Sequence, residues 1–186
     1  GHGTLNVAIV GTTLEMELEV PGADIVGFES EARSAAQKKI LASAIKDLRA
    51  PSNLFQLPTA ADCQLKKASV EIEGDSHEEE HGHEKHAKKE HDHGKDEHAH
   101  GKKKHGHNEH GKDSAHKEDK AEGHNEFHVT YQFACSKPSS LTNVQFPYFK
   151  RFKNAEDLEV NITTEKGQTK FEVSRGKSQI SLSGMI

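Results

Sequence analysis

One long stretch of this chain contains almost nothing that could enter a hydrophobic core. From position 74 to position 125 no aliphatic residue is larger than alanine, and His, Glu, Asp, Lys and Gly dominate. Such a composition buries too little apolar surface to offset the conformational entropy lost on folding. We therefore predict a flexible insert at residues 75–126, and we expect residues 1–74 and 127–186 to form the two halves of one folded body.

The insert and its edges concentrate histidine, since fourteen of the fifteen histidines lie between residues 77 and 128. Four pairs have the spacing H-x-H, in which an extended chain points both side chains to one side, about 7 Å apart. Most imidazoles are neutral at pH 7 and can act as metal ligands. The predicted metal ligands are His77, His81, His83, His86, His91, His93, His98, His100, His105, His107, His110, His116, His124 and His128.

The ligand set suits borderline metal ions. Zinc takes about four N, O or S ligands, so these histidines and their acidic neighbours could hold roughly three to five zinc ions. Such sites exchange readily and weaken below about pH 6, where protons compete for imidazole. Nickel and copper bind the same ligands, so the residues alone leave the metal open.

Three of the predicted ligands lie at the edges of the insert. His77, His124 and His128 lie where the chain leaves and re-enters the body. We predict a disulfide between Cys63 and Cys135, which would clamp the two flanks at the mouth of the insert and gather these histidines into a tighter site. Two free buried thiols are the alternative. His128 fits an ordinary polar strand position equally well. His2, the remaining histidine, could join a metal site, but we expect it to be only a terminal residue.

The distribution of charge limits the kinds of partner that the chain can bind. Residues 75–126 carry 15 acidic residues and 10 lysines, so the whole net charge of −5 falls there. A net negative surface disfavours nucleic acid and attracts divalent cations. No apolar run approaches the roughly 18 residues of a membrane span. The chain begins directly in strand-like sequence, as a mature or a trimmed form would, and we find no signal peptide in it.

One motif suggests catalysis but lacks the context for it. Residues His77 to His81 match H-E-x-x-H, the zinc-protease pattern. That motif acts on a helix packed beside a shaped cleft, whereas here it stands in a Glu- and His-rich tract without an apolar face. We expect no enzymatic activity.

Hydrophobic periodicity predicts an α+β body with a mostly antiparallel sheet and one main helix. Leu14 to Val20 alternate apolar and acidic residues, which is typical of a half-buried strand. The helix is predicted near residues 30–49 and ends before Pro51. The other strands are expected at residues 4–10, 63–73, 127–135, 144–146, 158–163, 168–174 and 180–182. The insert would then join two core strands. A weak internal repeat relates the segments before Cys63 and Leu158.

Several short motifs carry a resemblance to a known family. They are His2-Gly3, Leu5 to Ala8, Gly27 to Glu29, Leu54-Phe55, Ala60 to Cys63, the His/Glu-rich insert, Glu126-Phe127, Tyr131 to Cys135 and Gly167-Gln168. Together they resemble the ZrgA-type periplasmic zinc-binding proteins of Gram-negative bacteria, over essentially the whole chain. The resemblance implies a periplasmic protein expressed under zinc limitation, which supports a high-affinity zinc ABC importer and its solute-binding protein.

These observations predict a non-enzymatic periplasmic protein that captures several zinc ions on a flexible insert and passes them to that binding protein. One alternative is nickel or copper buffering or detoxification. Another is an interaction module that folds or dimerises when zinc bridges two chains; the sequence fits either a monomer or such a dimer.

Overall fold

The structure is a computed structural model that describes residues 1–74 and 124–186. A six-stranded sheet with the spatial order β3-β4-β2-β1-β6-β7 contains strands from both sides of the insert. A separate two-stranded ribbon pairs β5 with β8. The strands are β1 (His2–Val10), β2 (Thr13–Pro21), β3 (Cys63–Glu73), β4 (Glu126–Cys135), β5 (Asn143–Gln145), β6 (Asp157–Thr164), β7 (Gly167–Ser174) and β8 (Gln179–Ser181).

Strict alternation of apolar and polar residues explains the two faces of this sheet. In β2 the apolar residues from Leu14 to Val20 are buried, while Glu15, Glu17 and Glu19 are exposed. β4 repeats the pattern, because Phe127, Val129, Tyr131 and Phe133 are buried. Successive strand residues point to opposite faces. The sheet therefore presents one apolar face to the core and one polar face.

The prediction of a mostly antiparallel sheet is confirmed, with one addition. β1 and β6 pair in parallel, from His2 opposite Asp157 to Ile9 opposite Thr164. All the other strand neighbours of the large sheet are antiparallel. Alternation predicts a strand but not its neighbour, so the mixed character of the sheet was not predicted.

Three α-helices occur in the described residues: α1 (Gly22–Val26), α2 (Ala35–Leu48) and α3 (Tyr148–Arg151). The main helix begins later than predicted, because Ser34 caps it. The Ser34 hydroxyl accepts a hydrogen bond from the Gln37 backbone, and the Gln37 side chain accepts one from the Ser34 backbone. This reciprocal pair satisfies donors that the first helical turn leaves free. Short 3₁₀ turns lie at Pro51–Asn53, Thr59–Ala61 and Pro138–Ser140.

An aromatic cluster packs against the apolar face of the sheet. Phe55 contacts Tyr131, Phe146 and Tyr148 at ring-centroid distances of 5.9–6.1 Å. The buried Tyr131 hydroxyl donates a 2.6 Å hydrogen bond to the Leu48 carbonyl. This bond joins β4 to the last turn of α2. It satisfies a carbonyl that a helix end otherwise leaves without a partner.

The hairpin of β3 and β4 carries the insert and corrects two predictions. β3 is the first strand in the order, so the insert joins an edge strand to its neighbour and not two core strands. The predicted Cys63–Cys135 disulfide is present, but it links the first residue of β3 to the last residue of β4. The insert leaves from the opposite ends, at Glu73 and Glu126. Strands of this length span about 30 Å, so the disulfide does not close the mouth of the insert.

Three further features concern a short helix, the proposed repeat and membrane-spanning segments. The segment between β2 and the main helix contains the short helix α1, which was not predicted from the sequence. The proposed internal repeat remains a prediction, although its two segments do precede β3 and β6. In the described part of the chain, no helix combines the length and apolar character needed to cross a bilayer.

Candidate metal-binding surface

His128 lies on the polar face of β4 among three carboxylates. Its Nδ1 is 3.8 Å from an oxygen of Glu19, and its Nε2 is 3.4 Å from Glu73 and 3.5 Å from Glu126. The register explains this arrangement, because Glu19 stands opposite His128 on β2 and Glu73 stands opposite Glu126 on β3. The imidazole is partly buried, with 27 % of the side chain exposed. His128 is therefore a partly buried strand residue in an acidic setting.

His124 lies just before β4, at the point where the described chain resumes. Its Nδ1 is 2.5 Å from a carboxylate oxygen of Glu29. The next residue anchors the segment more firmly: the Asn125 backbone donates to the Glu29 carbonyl, and its carbonyl accepts from Gly22. The Asn125 side-chain amide donates to the Ser30 carbonyl. The return of the insert is therefore tied to the loop that follows α1.

His2 is a member of β1 and not a loose terminal residue. Its Nδ1 lies 2.7 Å from both carboxylate oxygens of Asp157, its neighbour in the parallel pair. The hydrogen bond and charge of Asp157 raise the pKa of the His2 imidazole above its usual value. The ring itself is exposed.

These three histidines share one chemical feature. In each, Nδ1 faces a carboxylate, and in His128 the Nε2 nitrogen faces two more, those of Glu73 and Glu126. Histidines that bind metals commonly have a carboxylate on the second ring nitrogen, where it fixes the orientation of the ring and raises its basicity. The pairing is compatible with metal binding by these imidazoles and equally with simple ion pairs.

The polar face of the sheet is strongly acidic. By strand register it carries Glu15, Glu17, Glu19, Glu71, Glu73, Glu126, Asp157, Glu159 and Glu172. The lysines placed on the same face are Lys67 and Lys170. Lys170 binds Glu159 at 2.8 Å and lowers the pKa of that carboxyl. The excess of carboxylates creates a negative potential that attracts divalent cations.

Two of the predicted ligands, His124 and His128, lie near carboxylates in the structure, and the other twelve lie outside the described residues. Within residues 1–74 and 124–186, no group of three or more His, Cys, Asp or Glu side chains is already arranged to hold a metal ion. His124 and His128 lie in separate carboxylate settings, so the predicted convergence of the edge histidines is not seen for this pair. The predicted ligands outside the described residues are His77, His81, His83, His86, His91, His93, His98, His100, His105, His107, His110 and His116.

Sequence reasoning did not identify the carboxylates that surround the histidines. Glu19 and Glu73 come from strands on either side of β4, and Glu29 comes from the loop after α1. For Glu19, the alternation of β2 predicted that the side chain lies on the polar face of the sheet. Nothing local in the sequence signals Glu29.

Comparison with known proteins agrees with this chemistry. No curated protein sequence matches the chain. The family model described as "ZrgA family zinc uptake protein" matches residues 1–105 and 96–182, which together include both parts of the folded body and the insert. The chain therefore belongs to the ZrgA family of zinc uptake proteins.

Proposed function

We propose that this protein captures several zinc ions on its histidine-rich insert and supports zinc acquisition in the periplasm, without catalysing a reaction. The observation that carries this proposal is the match to a zinc uptake family on both sides of a segment that holds most of the histidines. The Cys63–Cys135 disulfide is compatible with an extracytoplasmic protein, because such bonds persist in oxidising compartments.

The mechanism that fits these ligands is capture by mass action followed by ligand exchange. Many imidazoles of similar affinity raise the local zinc concentration, and none of them holds an ion so tightly that release becomes slow. The acceptor is the solute-binding protein of a high-affinity zinc ABC importer. The acidic face of the sheet adds a long-range attraction for divalent cations. The H-E-x-x-H match has no catalytic part in this mechanism.

Calorimetric zinc titration of the full-length protein tests the capture step. The matched control is an insert-Asn variant, a full-length chain in which the eleven histidines from His81 to His116 are replaced by asparagine. The variant keeps length, net charge and the folded body. We expect it to bind roughly three fewer zinc ions than the natural chain, because each ion takes about four ligands. Equal stoichiometry in both proteins would overturn zinc capture by the insert.

Transfer and its alternatives need separate measurements. Zinc should move from the loaded protein to the purified importer binding protein faster than it dissociates into a chelator. Equal rates would refute direct transfer.

Tighter binding of nickel or copper, together with failure to deliver zinc, would favour buffering of those metals. A doubling of mass on adding zinc, measured by light scattering, would favour the dimerisation module.

A further inference from the structure

We propose that His128, Glu73 and Glu126 bind one divalent metal ion of the zinc type on the folded body, with Glu19 orienting the imidazole. We call this group the hairpin-root site, because it lies where β3 ends and β4 begins. The proposal deepens the proposed function by adding a body site. It uses no ligand from the insert, so either proposal can fail without the other.

The strand register places all four side chains together. Glu73 stands directly opposite Glu126, and His128 follows two residues later on β4, with Glu19 opposite it on β2. Residues opposite each other, and residues two apart on one strand, share a face of the sheet. Sites built on paired strands hold their ligands more precisely than sites built on loops.

The distances around Nε2 are ion-pair distances that also fit the separation between two ligands of one metal ion. Nε2 lies 3.4 Å from Glu73 and 3.5 Å from Glu126. It is enclosed by protein and makes no hydrogen bond within the described structure. A direct hydrogen bond would measure about 2.7–3.2 Å. Two ligands of one tetrahedral zinc ion, each about 2.05 Å from the metal, lie about 3.3–3.4 Å apart.

The negative charge of the opposed carboxylates also favours a bound cation. Like charges directly opposite each other on paired strands are destabilising, and Glu73 faces Glu126. Among the described residues, neither these two carboxylates nor Glu19 forms an ion pair with a lysine or an arginine. A divalent ion on Nε2 would neutralise both opposed carboxylates at once.

The site is completed on binding. The group is not yet arranged around a common point, but the Glu73 and Glu126 side chains are 74 % and 50 % exposed and free to turn. The less exposed imidazole supplies the fixed ligand, and Glu19 lies on the Nδ1 side, where a carboxylate orients a metal-binding histidine. Binding would therefore tie the two strand ends together at the root of the insert.

Zinc titration of the full-length insert-Asn variant tests the site. We expect one zinc ion per chain and a rise in melting temperature on adding zinc chloride, because a ligand that binds only the folded state stabilises it. Adding His128→Asn should abolish both effects, and Glu73→Gln with Glu126→Gln should do the same. Glu19→Gln should weaken binding about 10- to 100-fold, as is typical when the partner of a metal-binding histidine is lost.

The controls separate the possible outcomes. His2→Asn removes an imidazole beside another carboxylate, Asp157 on β6, and should leave the affinity unchanged. Cooperative unfolding without zinc shows that each variant is folded. No zinc event in the insert-Asn variant would overturn the site, as would an event that survives His128→Asn, since the group would then be only an ion-pair cluster. Failure of the proposed function appears differently, as equal stoichiometry in the natural chain and the insert-Asn variant.

Discussion

The Cys63–Cys135 disulfide should be a major contributor to the stability of the body, and its removal can be predicted quantitatively. The bond joins residues 72 positions apart and lies at the end of the β3–β4 hairpin remote from the insert. For a closed loop of about 73 residues, the chain-entropy relation predicts about 4 kcal/mol at 25 °C. Cys63→Ala with Cys135→Ala should lower the free energy of unfolding by about that amount.

Urea unfolding followed by circular dichroism measures this loss. With a slope of about 2 kcal/mol per molar urea, the midpoint should fall by about 2 M. Deleting residues 81–116 roughly halves the closed loop, so the disulfide should contribute about 0.6 kcal/mol less in the shortened chain. The natural protein after reduction is the matched control. A loss below about 1 kcal/mol would refute the reasoning and show that strand pairing already restricts the unfolded chain.

Three further predictions concern single contacts. Tyr131→Phe removes the donor to the buried Leu48 carbonyl and should lower the unfolding free energy by about 1–2 kcal/mol in the same urea assay; an unchanged midpoint would mean that the carbonyl finds another partner. Asn125→Ala removes the side-chain hydrogen bond to the Ser30 carbonyl in the loop after α1. It should lower the unfolding free energy by about 1 kcal/mol and speed amide exchange in residues 27–30; unchanged exchange would contradict the anchoring role. By NMR titration the His2 pKa should lie above about 6.5 and return toward it in Asp157→Asn; equal pKa values in both proteins would refute the pairing.

The sign of the His2 effect follows from the direction of its shift. The folded state holds the His2 proton more tightly than the unfolded chain does. The contribution of the His2–Asp157 pair to stability is therefore present below the unfolded pKa and is lost as pH rises through the folded pKa. Because the ring is exposed, solvent screens this pair and its contribution is small.

Much of the local structure could be predicted from the sequence because its signals are local. Period-two alternation from Leu14 to Val20 and from Phe127 to Phe133 indicated both the strands and their buried faces. Pro51 marked the end of the main helix. The start of that helix was misplaced because the Ser34 cap sets it, and hydrophobic periodicity does not detect a cap.

The sequence by itself determined which segments can fold and which residues can bind metal, since burial and ligation depend on residue chemistry. Only the tertiary structure decided that β1 pairs with β6, that the disulfide lies far from the insert, and that Glu19 and Glu73 surround His128. Each of these depends on strand order and register, which are set by packing between residues distant in the chain. A shift of one residue in the register of β4 would turn His128 to the opposite face of the sheet.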